Sequence, residues 1–135
     1  MRQQKGMSSL MLVLLMLVLG SLTLQGMSMQ HQSQLRQTTL EQRAMQDTVN
    51  AESLLEEGRM FAWKPEPGDR CRDDTDFAGR VCLRIFSDES ALLIANSGEQ
   101  YRWQTGQVQK GILQFNRSGW SDFCPRKEVL QCQLP

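Results

Sequence analysis

The sequence predicts an α+β protein. A long N-terminal helix, membrane-spanning in its first half, packs on a small antiparallel β-sheet head with two disulfides. Three observations carry this expectation. No charged side chain occurs between Lys5 and Arg36, taking His31 as neutral, and residues 10–19 are apolar without a break. An apolar stripe at helical spacing then runs from Ala44 to Ala62, ahead of Pro65 and Pro67. After the prolines come short runs divided by turn residues, together with all four cysteines.

The first segment is read from its solvent. A helix satisfies its own backbone hydrogen bonds, so apolar side chains can carry it into hydrocarbon. A full span needs about 20 mostly apolar residues. Leu22 and Leu24 extend the unbroken run, diluted by Gly20, Ser21, Thr23 and Gln25. Length alone therefore does not separate a signal-peptide core from a modest transmembrane helix. Arg2 and Lys5 place the N-terminus in the cytoplasm, and no acidic residue before Glu41 opposes that orientation. Three fates compete: removal by a cut near Gly26, where no Ala-x-Ala site stands; retention as a plain anchor; or a cut between Gly6 and Met7 that keeps the apolar helix.

The flanking residues favour the last. Lys5-Gly6 followed directly by Met7-Ser8-Ser9-Leu10-Met11 resembles the class III leader of type IV pilins and type II secretion pseudopilins. Nearly the whole chain is similar to one group among them, the small enterobacterial YgdB-type prepilin-like proteins. The residues that carry this are Lys5-Gly6-x-Ser8-Ser9-Leu10, Arg80-Val81-Cys82-Leu83-Arg84 and Ala91-Leu92-Leu93-Ile94-Ala95. The specific end block is Gly119-Trp120-Ser121-Asp122-Phe123-Cys124-Pro125, closing with Cys132-Gln133-Leu134-Pro135.

The resemblance implies a pilin-type helix, cleavage after Gly6 by a prepilin peptidase and N-methylation of Met7. It implies a single pass of a bacterial inner membrane with a periplasmic head, followed by a place at the tip of a pilus. The partners it implies are other minor pilins or pseudopilins and the major pilin. Most pilins carry a glutamate at the fifth residue after the cleavage glycine; here that position is Met11. Such a glutamate meets the N-terminal ammonium of the subunit already in place. A buried carboxylate without a partner is expensive, so a subunit with none ahead of it is better served by an apolar residue. Tip-located pseudopilins share this replacement, and Met11 argues for a tip or initiation role.

Composition sets the remaining bounds. Removing Arg2 and Lys5 from the 15 basic residues leaves 13 against 15 acidic ones. No basic patch or aromatic platform asks for nucleic acid. His31 is the only histidine, and no nucleophile elbow, phosphate loop or dinucleotide fingerprint is present. No enzyme and no cofactor are expected. Two function classes remain: a minor pilin or pseudopilin that primes or caps a filament, and a membrane-anchored periplasmic adaptor or binding domain. The mature N-terminus separates them. Between a type IV pilus and a secretion pseudopilus the resemblance leans to the pilus.

Beyond the membrane segment, residues 28–42 are rich in glutamine and lack an apolar stripe, as suits a solvated spacer or a polar seam. The following stripe, Ala44/Met45, Thr48/Val49, Ala51, Leu54/Leu55, Gly58 and Phe61/Ala62, is the face on which a sheet packs. A helix over 7–63 would be roughly 85 Å long. Candidate strands are 81–86, 91–95, 100–105 and 112–116, with turns at Asp88-Glu89, Asn96-Ser97-Gly98 and Gly106 to Gly111. The division is a leader at 1–6, a transmembrane half-helix at 7–26, a periplasmic helix at 27–63 and a β-rich head at 64–135.

The four cysteines, Cys71, Cys82, Cys124 and Cys132, allow three pairings. An oxidising compartment makes two disulfides the expectation. Locality favours Cys71–Cys82 and Cys124–Cys132, each closing a short loop worth about 2–3 kcal/mol. Their spacing does not suit paired zinc ligands. Asp69, Asp73, Asp74 and Asp76, with Gly79, faintly resemble a calcium loop but lack its bidentate glutamate, and read as a solvated loop. No metal is expected.

Overall fold

The computed structural model describes residues 4–135, and side chains from Gly6 onward. Arg2, and the side chain of Lys5, the basic groups of the expected leader, lie outside the described residues. The chain forms two units, Met1–Gln42 and Arg43–Pro135.

One helix, α1, covers Gln4–Met60. In the first unit every side chain from Gly6 to Gln42 is exposed. The apolar residues 10–19 are therefore unburied within this unit, among the described residues. Just beyond them, Thr23 donates its hydroxyl to the Gly20 carbonyl at 2.8 Å. That bond settles a polar group within the helix itself, as an apolar solvent demands.

In the second unit the rest of α1 lies on a five-stranded antiparallel sheet in simple sequential order. The strands are β1 (Gly68–Asp74), β2 (Gly79–Ile85), β3 (Ser90–Ser97), β4 (Gln100–Gln109) and β5 (Ile112–Ser121). Ala51, Leu54, Leu55 and Gly58 are the buried face of the helix. Leu54 and Leu55 join Val81, Leu83, Ile85, Ala91, Leu93, Ala95 and Val108 in one core. Gly58 is the close approach: a Cβ there would stand 2.7 Å from Val81 and 3.2 Å from Leu93. The front of the expected stripe does not take part. Ala44 is exposed, as are Met45 and Val49; at this end the helix meets the sheet through Asp47, against Gly98 in the β3–β4 turn.

The helix stops three residues before Trp63, where the sequence predicts its end. The Trp63 indole N–H donates to the Gly58 carbonyl at 2.6 Å, satisfying one of the carbonyls that a helix end leaves free. The ring then packs against the helix-side core. A folded-back aromatic cap thus ends the helix ahead of Pro65 and Pro67.

The opposite, outer face of the sheet has its own cover. Leu92 and Ile94 pack with Cys132, Phe86, Tyr101, Trp103, Cys124 and Leu134. The C-terminal segment, including a 3₁₀ turn at Val129–Cys132, supplies this layer. Both expected disulfides are present, Cys71–Cys82 and Cys124–Cys132.

The sheet corrects the expected strands in three places. β1 is an additional strand that pairs with β2 over seven residues, Cys71 opposite Cys82. Its sequence, GDRCRDD, has no apolar alternation because it is an edge strand outside both cores. β4 continues through the expected turn to Gln109, leaving Lys110-Gly111 as a two-residue hairpin loop with φ of 52° and 73°. Positive φ at both central residues matches the twist of the strands. Gly106 is a strand residue because Phe115 lies opposite it: a Cβ there would stand 2.7 Å from the Gln114 carbonyl oxygen. Finally, β5 runs on to Ser121 past a register shift.

Asp73 and Arg80 face each other across the β1–β2 ladder as an ion pair. The hydrogen bond donated by Arg80, helped by its charge, holds the Asp73 carboxyl below the ordinary range. A carboxylate with a depressed folded pKa stabilises the fold above its unfolded value, about 3.9, and loses that contribution as pH falls through its folded value. Acid titration followed by amide exchange is expected to loosen β1 below about pH 4, while Asp73→Asn has β1 loosened already at neutral pH.

Candidate functional site

The residues singled out for processing and assembly lie together at the start of α1. Gly6, Met7, Ser8, Leu10, Met11 and Leu14 border one shallow apolar surface of the helix. Met7 is 77% exposed and Met11 71%. At Gly6 a Cβ would meet nothing within 4 Å. Glycine in a helix costs about 0.5–1 kcal/mol relative to alanine, so the chain carries this residue against its own helical preference and without a packing reason. Met11 is an apolar side chain on an uncharged helical surface; the first acidic residue of the chain, Glu41, comes about eight turns later. Among the described residues one helix is long and apolar enough to cross a membrane, and it could anchor the chain in a single pass. His31 is exposed on the same helix.

The head gathers the remaining candidates. Of the four acidic residues around the first turn, Asp76 is exposed and the other three are committed within the protein. Asp69 pairs with Arg84 at 2.7 Å and Asp73 with Arg80. Asp74 accepts the Phe77 N–H at 2.8 Å and shapes the β1–β2 turn. Among the described residues no group of three or more histidine, cysteine or acidic side chains is placed to hold a metal ion.

The fastening of the C-terminal segment was not legible in the sequence. Arg84, on the outer face of β2, holds Asp69 with one edge and donates to the Gln131 carbonyl at 2.8 Å and the Leu130 carbonyl at 3.3 Å. The Trp103 indole donates to the Cys132 carbonyl at 3.1 Å. Arg126 lies over the Phe86 ring at 4.2 Å and donates to Gln131 and Ser90. Asp88 in turn accepts from the Ser90 hydroxyl and N–H, bonds that hold its carboxyl below the ordinary range. So fastened, the segment presents Phe123, Val129 and Leu130 outward, 66–75% exposed. Beside it Tyr101 and Trp103, stacked with centroids 5.8 Å apart, line an apolar groove with Val129 and Leu134. On the helix side, Arg102 is nearly buried and reaches Glu52 at 3.4 Å.

A family model described as a protein of unknown function (DUF2509) matches residues 15–132. The match covers most of the helix and the whole of the sheet, and begins after Gly6, Met7 and Met11. No curated protein matches, and no solved structure matches.

Arg84→Ala should free the C-terminal segment from β2. Hydrogen bonds to a charged group contribute about 1.5–3 kcal/mol, and part of this is expected as a loss of head stability. Limited trypsin digestion should then cut after Lys127 faster than in the parent protein, with the Cys124–Cys132 bond still holding the two ends together on a non-reducing gel.

Proposed function

The chain belongs to the DUF2509 family, and we propose that it is a minor pilin or pseudopilin that primes assembly, or caps the tip, of a type IV pilus-like filament. The observation that carries this reading is Gly6. Like Gly20 and Gly26 on the same helix, it has no packing reason, and the helix would be better formed without it; what sets it apart is its place between Lys5 and Met7-Ser8-Ser9-Leu10. A glycine directly after Lys5 and directly before an uncharged apolar helix suits an external peptidase that accepts no side chain at the residue it cuts after. Cleavage would leave Met7 as the first residue, ready for N-methylation, with the apolar helix retained.

Met11 supports the position within the filament. In a bundle of apolar helices an added carboxylate must find an ammonium or be protonated. A methionine there makes no such demand, which suits a subunit that enters first. The exposed apolar surface of residues 10–19 serves both states of such a protein: lipid contact in the inner membrane and helix contact in a filament core. The partners are other minor pilins or pseudopilins and the major pilin, with the prepilin peptidase as processing enzyme. The reading involves no catalysis by this chain, no cofactor and no nucleic acid. A membrane-anchored periplasmic adaptor would share the helix and the head but would keep Met1.

Intact-mass analysis of the mature protein is expected to show loss of residues 1–6 and one added methyl group on Met7. Gly6→Asp should leave the protein larger by the six-residue leader. A mature chain that starts at Met1, or beyond Gly26, would reject the filament reading.

Placement is tested separately. The protein should occur in very few copies per filament, and its deletion should lower filament number more than filament length. Met11→Glu is expected to shift it to positions behind another subunit. Immunogold label spread evenly along the shaft in the parent strain would count against a tip role.

A further inference from the structure

β1 is attached to the head in an unusual way. It contributes to neither core cluster, and apart from Cys71 it carries no apolar side chain. Its outward-facing residues form three consecutive cross-strand pairs with β2: Asp69 opposite Arg84, Cys71 opposite Cys82 and Asp73 opposite Arg80. The disulfide sits between two ion pairs. On the helix side, β1 offers Arg70, Arg72 and Asp74, the last spent on the β1–β2 turn. Arg70 donates to the Glu66 carbonyl, and Arg72 lies over the Phe61 ring at 3.9 Å.

The three pairs differ in strength. Ion pairs at a strand edge are screened by solvent and contribute little, whereas a disulfide closing a loop of this length restricts the unfolded chain and contributes more. The Cys71–Cys82 bond is thus the largest single side-chain tie between β1 and the sheet. β2 does not depend on it. Val81, Leu83 and Ile85 are in the helix-side core, and β2 pairs with β3 over seven residues.

The two disulfides also differ in access. Cys71 is exposed, while Cys82 is 1% exposed. Cys132 is 3% exposed and packs with Leu92 and Ile94, and its partner Cys124 is half-buried against the same cluster. Thiol exchange requires an attacking thiolate to reach one sulfur. Cys71 is the most exposed of the four cysteines, while Cys124 and Cys132 border the groove beside Tyr101 and Trp103 and are more covered.

We propose that Cys71–Cys82 is a thiol-exchangeable clip, whose opening releases β1 and bares the edge of β2 while the rest of the head stays folded. The co-reactant is a dithiol. Its thiolate attacks Sγ of Cys71, forming a mixed disulfide and expelling the Cys82 thiolate, which takes a proton. The second thiol of the reagent, as thiolate, then attacks the reagent's own sulfur in that mixed disulfide. It leaves as a cyclic disulfide and releases the Cys71 thiolate, which is protonated. Two electrons and two protons pass from the dithiol to the cysteine pair. The opened β2 edge presents its unpaired N–H and C=O groups, the condition under which an edge accepts another strand.

The test uses the full chain in detergent micelles. Dithiothreitol is titrated in, free thiols are alkylated and mapped by mass, and amide hydrogen exchange is followed in parallel. Cys71 and Cys82 are expected to be alkylated at reductant concentrations that leave Cys124–Cys132 intact. At that point amides 68–74 should lose their protection and those of β3 and β4 should keep it. Cys71→Ala/Cys82→Ala should reproduce the same exchange pattern without reductant. Three results would each overturn the proposal: alkylation of Cys124 and Cys132 first or together with the other pair; protection of 68–74 that survives reduction; or loss of β3 and β4 protection along with β1, in the reduced protein or in the double variant.

Discussion

The central strand β3 is apolar on both faces, and the head is arranged to satisfy it and its neighbour β2. Val81, Leu83, Leu93 and Ala95 need cover on one side, while Leu92, Ile94 and Cys82 need it on the other. One helix can bury only one face of a sheet. α1 takes the first face, using small residues where it comes closest, Ala51 and Gly58. The second face falls to the fourteen residues after Ser121. A segment this short builds no core of its own. It is held instead by a disulfide, a buried indole hydrogen bond and two arginines, each anchored to a strand or an aromatic ring. The exposed Phe123, Val129 and Leu130 follow from the same economy: with so few residues, the inward positions take Cys124, Cys132 and Leu134, and apolar side chains at the others face solvent.

What the sequence made legible is what depends on neighbours in the chain. The uncharged run, the stripe Ala51, Leu54, Leu55 and Gly58, and the local pairing of the cysteines all follow from spacing, and all appear in the structure. β1 was not legible. Its seven residues read as a polar loop, because an edge strand outside the core needs no alternation of apolar side chains. Its one signal was Cys71, whose partner Cys82 lies in a strand. The front of the helical stripe misled for a related reason. Met45 and Val49 have the right periodicity, yet the sheet ends before them, and Asp47 closes against Gly98 instead. The C-terminal fastening was hidden by distance. Arg84 and Gln131, or Trp103 and Cys132, are 47 and 29 residues apart, and nothing in their local sequence announces the contact.

The processing motif is legible for the opposite reason. In the filament reading proposed above, Lys5, Gly6, Met7 and Met11 take their meaning from an external enzyme and from neighbouring subunits, so the fold of one chain adds little to them. What the structure contributes is a subtraction. Packing explains none of Gly6, Gly20 and Gly26 on α1, whose surroundings are empty, whereas it fully explains Gly58, Gly79 and Gly106; Gly6 is set apart from Gly20 and Gly26 by its place beside Lys5 and Met7. Gly79 leaves no room for a side chain between the Asn96 carbonyl and Leu54. A glycine with no internal cause at the junction between a basic start and an apolar helix is the kind that a functional constraint keeps.

The two edges of the sheet are blunted in different ways. A free strand edge is a template for another chain. β1 blunts its edge with Asp69, Arg70, Arg72, Asp73 and Asp74, leaving little reason for an apolar strand to dock. β5 blunts the other by geometry. Between Phe115 and Trp120 it leaves the register, four residues standing opposite Thr105 alone. Gln104, fully buried, donates its amide to the Asn116 carbonyl, and Asn116 donates to Thr105. The irregularity is therefore secured from inside the sheet, and only 112–115 remain as a regular edge. One side is guarded by charge that a covalent bond holds in place, the other by a fixed distortion. Because the charged guard lies outside the core, it is the side that can be removed without dismantling what lies beneath.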